Sequence, residues 1–172
     1  CISFLDKNLD YVGVHGKGFM MTLSTDSLHF GIINSFFPFS FIESVEDDSL
    51  TRVKDYFDNI KNVDIVIFRS DVNMAGYGQH NHLSDYYSSF IFGEHAHAVV
   101  VLARGKVGIV EGAYAIRQSH SQQTMNSLDF DKWFFDPDWF DSFNFLKGLI
   151  DKEITENQSI KGSSLSQISS NL

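Results

Sequence analysis

The sequence predicts a single α+β domain, and three observations lead to this prediction. Short apolar runs of strand length, separated by polar or glycine-containing turns, fill residues 1–45. A helical spacing of apolar residues then begins at Leu50, and a second one begins after Asp136-Pro137. With 43% hydrophobic and 20% charged residues among 172, the chain has enough apolar side chains to form one core.

The N-terminal strands are predicted to form an antiparallel, β-rich sheet. The apolar runs are residues 2–5, 11–15, 19–23, 29–34 and 36–42. Each run is too short for a stable helix, and the turns between consecutive runs are short. This order is typical of a β-meander.

One helix is predicted after these strands. Asp48 or Ser49 is a suitable N-cap, because its side-chain oxygen can accept from a backbone N–H of the first turn. The apolar residues that follow recur at helical spacing: Leu50, Val53, Phe57 and Ile60. Charged residues occupy the other side, so we expect this helix to lie on the sheet.

The middle of the chain predicts a central strand and a loop. Residues 63–68 are apolar apart from Asp64, and such a short run suits a strand that is covered on both faces. Residues 70–82 are polar and contain glycine, which predicts a long functional loop. The pattern of residues 85–92 fits either a strand or a helix.

Residues 96–111 predict a β-hairpin whose turn contains Gly105. If Gly105 takes the left-handed position of a three-residue turn, apolar side chains face apolar side chains across the two strands. This register places His97 directly beside Glu111. A two-residue turn would instead pair His97 with Gly112, and the first register is preferred because it stacks apolar residues.

The C-terminal region predicts a helix and a tail. Asp136-Pro137 provides a cap and a first turn, and a buried stripe should follow to about residue 154. Its members are Trp139, Phe143, Leu146 and Ile150. Residues 155–172 contain six serines and no periodicity, so a flexible, disordered tail is expected after a domain of residues 1–154.

Charge and composition exclude two classes of partner. The formal net charge is −9 and the basic residues are scattered, so a nucleic-acid backbone is not an expected partner. No apolar run approaches the roughly 20 residues of a membrane span, and a soluble protein is expected. Because the chain begins at Cys1, it is expected to be cytoplasmic after Met excision, released from a precursor, or a fragment. Cys1 is the only cysteine, which excludes an internal disulfide.

The leading functional hypothesis is a thiol-dependent amidohydrolase or peptidase. Cys1 would be the nucleophile, His97 would generate the thiolate, and Glu111 would orient the imidazole. A histidine that opens a hydrophobic strand, with its acidic partner on the returning strand, resembles the papain-like superfamily. That resemblance implies a peptide or amide substrate. Asp136 is an alternative third member of this set.

A second enzymatic resemblance involves the start of the chain. Cys1-Ile-Ser3 on a first strand, with His15-Gly-Lys17 on the next, resembles the opening of N-terminal nucleophile hydrolases of the acid ceramidase type. In those enzymes the free α-amine of the first residue serves as the base. This resemblance also implies that Cys1 attacks an amide.

Two His-x-His pairs form the basis of a metal hypothesis: His80 with His82, and His95 with His97. In a strand, this spacing points both rings to one face. A carboxylate such as Glu94, Glu111 or Asp71 would complete a site for zinc, iron or manganese. His95-Ala-His97 before an apolar run resembles the first motif of the cupin family. Without such a metal, no cofactor is expected.

The third hypothesis is a non-enzymatic protein-interaction module. An acidic cluster surrounds Trp133 and Trp139 in the sequence: Asp129, Asp131, Asp136, Asp138 and Asp141. Its spacing is not that of a calcium loop, and it suits a solvated acidic rim. A surface that combines aromatic rings with acidic side chains predicts a protein partner.

Overall fold

The computed structural model describes residues 1–24, 31–63, 65–83, 89–119 and 130–169. These residues form a four-stranded sheet and several helices, so the predicted α+β class is confirmed. In chain order the elements are α1 (Ile2–Lys7), β1 (Tyr11–Leu23), β2 (Ile33–Phe39), α2 (Ser49–Asp58), β3 (Ile67–Phe68), α3 (Ser70–Leu83), α4 (Ser89–Arg104), β4 (Lys106–Ser119), α5 (Phe130–Phe134) and α6 (Trp139–Ser169).

The sheet is organised around β1. β1 pairs antiparallel with β2 through residues 18–23 and antiparallel with β3 through Gly13 and Val14. It pairs in parallel with β4 from Tyr11 to Thr22, so one parallel pairing is added to the expected antiparallel ones. Residues 11–15 and 19–23, predicted as two strands, belong to this one strand. The predicted central position of residues 63–68 is wrong, because the described residues of this range contribute only the short β3 and the central strand is β1.

The predicted hairpin of residues 96–111 is wrong, because its first half is the helix α4. Residues 98–103 are almost completely buried. A helix that is buried all round shows no polar side in its sequence, and a short apolar run of this kind cannot be distinguished from a buried strand. Gly105 does end the element: its N–H donates to Val101 O at 3.2 Å, and a Cβ at this position would overlap Val12.

Two further predictions are also wrong. Residues 2–5, predicted as a strand, lie in α1, whose Phe4 ring meets Tyr11 edge-on at 5.0 Å. Residues 70–82, predicted as a loop, lie in α3. Glycine lowers helix propensity, which hides α3 from a pattern-based prediction. Gly76 is needed there because a Cβ would overlap the His97 ring on α4.

The predicted helix after the strands is confirmed as α2. Asp48 is its N-cap, and the Asp48 carboxylate accepts from Thr51 N at 2.8 Å. The buried face consists of Ser49, Arg52, Val53 and Tyr56. Leu50 and Ile60, expected on that face, are exposed. The spacing therefore predicts the helix correctly but places its apolar stripe only in part.

The core is built around α4, which contacts α2, α3 and α6. α6 buries one face against it, formed by Ser142, Leu146, Leu149, Glu153 and Ile154. The predicted C-terminal helix is therefore present, although Phe143 of its expected stripe is exposed. The boundary at residue 154 falls within α6, and the flexibility of residues 155–172 stays a prediction. No helix in the described part of the chain is long and apolar enough to cross a membrane.

Candidate functional site

Cys1 stands immediately before α1, as its N-cap residue. Its carbonyl accepts from Phe4 N at 3.0 Å, and its free thiol is partly exposed. Arg69 holds this short helix in place by donating to Leu5 O at 2.7 Å and to Asn8 O at 3.3 Å. The thiol is therefore accessible to a small alkylating reagent on an anchored element.

His97 lies inside the packing between α3 and α4 and is only 2% exposed. Its Nε2 lies 3.2 Å from Asn73 Oδ1, and its ring packs against Phe68 and Tyr77 at centroid distances of 5.5 and 4.7 Å. Gly76 packs directly against the same ring. These contacts are those of a structural histidine within a helix pair.

Glu111 lies on β4 with its side chain 91% exposed, and it accepts from Lys17 Nζ at 2.8 Å. The hydrogen bond from Lys17 lowers the pKa of the Glu111 carboxyl. Because His97 is on a helix and not on a strand paired with β4, the expected cross-strand neighbourhood of His97 and Glu111 is wrong. The catalytic assignment of Cys1, His97 and Glu111 loses that geometric argument and stays a prediction.

His95 also belongs to α4, where its Nδ1 lies 2.8 Å from the hydroxyl of Tyr56. Burial lowers the pKa of His95, because the charged ring would lose its hydration. Two residues apart on a helix, His95 and His97 point about 160° apart, so they cannot share a metal as they would on a strand. The cupin-like arrangement of this pair is therefore wrong.

The other proposed ligands, His80 and His82, lie on α3, and their side chains are outside the described residues. Within the described residues, no group of three His, Cys, Asp or Glu side chains could hold a metal ion. Metal binding that involves His80 and His82 stays a prediction.

The feature that the structure does assemble is an aromatic surface on α5, α6 and their connection. We call it the aromatic face, and its members are Trp133, Phe134, Phe135, Trp139, Phe140 and Phe143. Phe135 and Phe140 are 76% and 70% exposed, and Phe134 and Phe143 are 45% and 43% exposed. Large apolar rings with this exposure cost free energy in water unless a partner covers them.

A tight connection between the two helices positions these rings. Phe135 N donates to Asp131 O at 2.9 Å, and Trp139 N donates to Asp136 O at 3.0 Å. The Asp136 carboxylate also accepts from Asp138 N at 2.9 Å. Asp136 thus closes the turn that precedes α6, and the predicted helix start at Asp136-Pro137 lies two residues before the observed start at Trp139.

Trp139 is the centre of the aromatic face. Its ring stacks on Phe143 at 5.3 Å with an interplanar angle of 9°, and it meets Phe140 edge-on at 5.2 Å. On the inner side it contacts Phe92 of α4, a core residue, at 5.6 Å. The outer rings therefore rest on a base that is fixed to the core.

Acidic side chains border this surface, as the sequence predicts. Between residues 131 and 143 there are four aspartates and one lysine, Lys132. Asp131 and Asp141 are exposed, while Asp136 and Asp138 are half-buried. The position of Asp129 is outside the described residues. The exposure of Phe143 was not predicted, because residues with helical spacing on α6 were assigned to its buried stripe.

Comparisons with known proteins add no assignment. No protein-family model matches the chain, and no curated protein or solved structure matches it either.

Proposed function

We propose that this protein is an interaction module that binds a basic, amphipathic protein segment on the aromatic face. The observation that carries the proposal is the group of four exposed phenylalanines around Trp139, bordered by aspartates. Aromatic residues are enriched at the centres of protein interfaces, because they bury a large rigid surface at a low cost in conformational entropy.

The size of the aromatic face supports this function. If each phenylalanine side chain contributes about 200 Å² when fully exposed, the four rings present about 450 Å² of apolar surface. That value is comparable with the largest apolar patches of monomeric proteins, which are often functional. A helix that laid its own apolar side on these rings would bury a similar area.

The charge around the rings selects the class of partner. The nearby excess of aspartates over Lys132 gives this surface a negative potential, in a chain whose net charge is −9. A partner with Lys or Arg beside its apolar residues would be attracted, whereas an acidic peptide would be repelled. A basic amphipathic helix combines both requirements.

The two tryptophans of the chain both lie in the aromatic face, so intrinsic tryptophan fluorescence reports on this surface directly. The probe is an amphipathic helical peptide of leucine and lysine, about 18 residues or roughly five turns long. The matched control peptide has glutamate in place of lysine. We expect the lysine peptide to shift the tryptophan emission in a saturable titration and the glutamate peptide to leave it unchanged.

Two variants locate the binding. Phe140→Ser removes one of the most exposed rings of the aromatic face, and Phe36→Ser removes a ring of β2 that is 51% exposed. We expect Phe140→Ser to weaken binding of the lysine peptide about tenfold and Phe36→Ser to leave it unchanged. Equal affinity in both variants, or equal binding of the two peptides by the parent chain, would contradict the proposal.

Thiol-dependent amide hydrolysis by Cys1 stays a separate prediction with its own test. It rests on the partly exposed thiol at the start of α1. A fluorogenic peptide library would be incubated with the native chain, with the iodoacetamide-treated chain and with Cys1→Ser. Cleavage by the native chain alone would support the hydrolase, and equal cleavage in all three samples would assign the activity to a contaminant.

A further inference from the structure

A cavity of about 300 Å³ opens beside β1, at some distance in sequence from the aromatic face. Residues 15–19 of β1 form one side of it, residues 38–41 and Glu43 form the other, and Lys61 and Ile109 complete the lining. This volume is at the small end of the range for ligand pockets. It therefore suits a molecule with one or two rings.

The close packing at the base of the cavity depends on a glycine of β1. A Cβ at Gly18 would overlap the Phe41 ring and would lie 2.8 Å from Phe39 O. Without a side chain at this position, Phe41 can lie against the strand and meet the His15 ring edge-on at 5.2 Å. Phe39 meets Phe41 in the same manner at 5.1 Å. Together with Phe19, these rings give the cavity a predominantly aromatic wall.

The charged side chains of the lining have an excess of cations. Lys17 and Lys61 line the cavity together with a single carboxylate, Glu43, although the whole chain carries a net charge of −9. Lys17 also binds Glu111, but both members of that pair are largely exposed, and such a pair contributes little stability. The Lys17 ammonium can therefore leave Glu111 and bind an anion in the cavity at a small cost in free energy.

His15 lines the cavity as a buried ring. Its ring is 1% exposed, and its Nδ1 and Nε2 lie 2.8 Å from Gly16 O and 2.6 Å from Ile42 O. These contacts hold the imidazole in place against the Phe41 ring.

We infer that this cavity binds a small aromatic anion, with its ring against Phe39 and Phe41 and its carboxylate or sulfonate between Lys17 and Lys61. The apolar wall accounts for the aromatic part of the ligand, and the cationic rim accounts for its negative charge. This inference is independent of the aromatic face, because the two surfaces share no residue.

The probes are 2-naphthoate and its neutral analogue 2-naphthamide, each titrated by calorimetry into the full chain. We expect naphthoate to bind at least tenfold more tightly than naphthamide. Lys61→Met and Lys17→Met should each weaken naphthoate binding about three- to tenfold, since each removes one cation from an exposed position where folding is not at risk. Lys132→Met, which removes an exposed lysine next to the aromatic face, should leave the affinity unchanged.

Changes in the NMR chemical shifts of backbone amides show where naphthoate binds. Binding at this cavity should shift the amides of Gly16 and Gly18 and leave the tryptophan fluorescence unchanged. Equal affinity for naphthoate and naphthamide would overturn the inference, and so would a loss of affinity in Lys132→Met. An absence of naphthoate binding up to millimolar concentration would overturn it as well.

Discussion

Arg52 is the side chain whose replacement should most affect the stability of this fold. It is buried at 4% exposure on α2, and its guanidinium donates to four backbone carbonyls. Two of these, Leu102 O at 2.7 Å and Ala103 O at 3.0 Å, are among the last carbonyls of α4. Burial lowers the pKa of Arg52 because the charge loses its hydration, and carbonyl bonds at a helix C-terminus offset that cost.

The expected loss can be worked out bond by bond. A hydrogen bond from a charged donor contributes about 1.5–3 kcal/mol, and a buried carbonyl that loses its donor costs about 1–3 kcal/mol. Glu46 and Asp47 are exposed, so water can replace Arg52 at their carbonyls, whereas Leu102 and Ala103 are buried. In Arg52→Met, two carbonyls therefore lose their donors, and the apolar stem of methionine recovers part of the packing. We expect a net loss of about 3–4 kcal/mol.

Urea denaturation followed by circular dichroism measures this loss. Arg52→Met should lower the denaturation midpoint without changing the slope. Arg52→Lys should fall between the parent and the methionine variant, because one ammonium cannot span all four carbonyls. Lys54→Met, an exposed position on the same helix, is the matched control and should leave the midpoint unchanged. A loss below about 1 kcal/mol in Arg52→Met would refute the proposed role of the guanidinium as the cap of α4.

Three other perturbations test the packing around α4. Burial lowers the pKa of His95 below 6.5, so just below this pH the unfolded chain binds a proton that the folded chain does not. The free energy of unfolding should therefore fall as the pH drops through 6.5. His95→Gln should remove this slope from pH-dependent melting curves. Arg104→Met leaves the buried Glu153 without its bidentate partner and should lower the free energy of unfolding by about 2–4 kcal/mol. This value is below that of a fully buried pair, because Arg104 is one-third exposed. In the same urea assay, the additional change Glu153→Leu should restore most of the lost stability. Gly76→Ala should lower the melting temperature because its methyl group would overlap His97, whereas Gly78→Ala on the same helix has open space and should raise it.

The parts of the fold that could be predicted from the sequence are those determined by local chemistry. Asp48 identifies the start of α2, and Asp136-Pro137 places the start of α6 to within two residues, because a capping side chain acts within one turn of its own position. The helix α4 was missed for the opposite reason. Its apolar residues are buried on every side by α2, α3 and α6, so the periodicity that distinguishes a helix from a strand is absent.

The candidate sites also differ in whether they depend on local sequence or on the fold. The aromatic face could be predicted in part, because its tryptophans and aspartates lie within 13 consecutive residues, 131–143. The exposure of Phe143 could not, since its helical spacing placed it on the buried stripe of α6. The expected neighbourhood of His97 and Glu111 depended on a strand register across a turn, and a helix in place of one strand removed it. The cavity beside β1 could not be predicted, because it combines residues of β1 with Phe41 and Lys61, which only the fold brings together.

The charge distribution argues that the two proposed sites recognise different partners. Aspartates dominate the border of the aromatic face, so this surface attracts a cationic partner and repels an anionic one. Lys17 and Lys61 reverse that preference at the cavity beside β1. The aromatic face is fixed to α4 through Phe92, whereas the cavity is built on β1, the end of β2 and the residues that follow it. A variant that removes one site should therefore leave the other intact, because the two share no side chain.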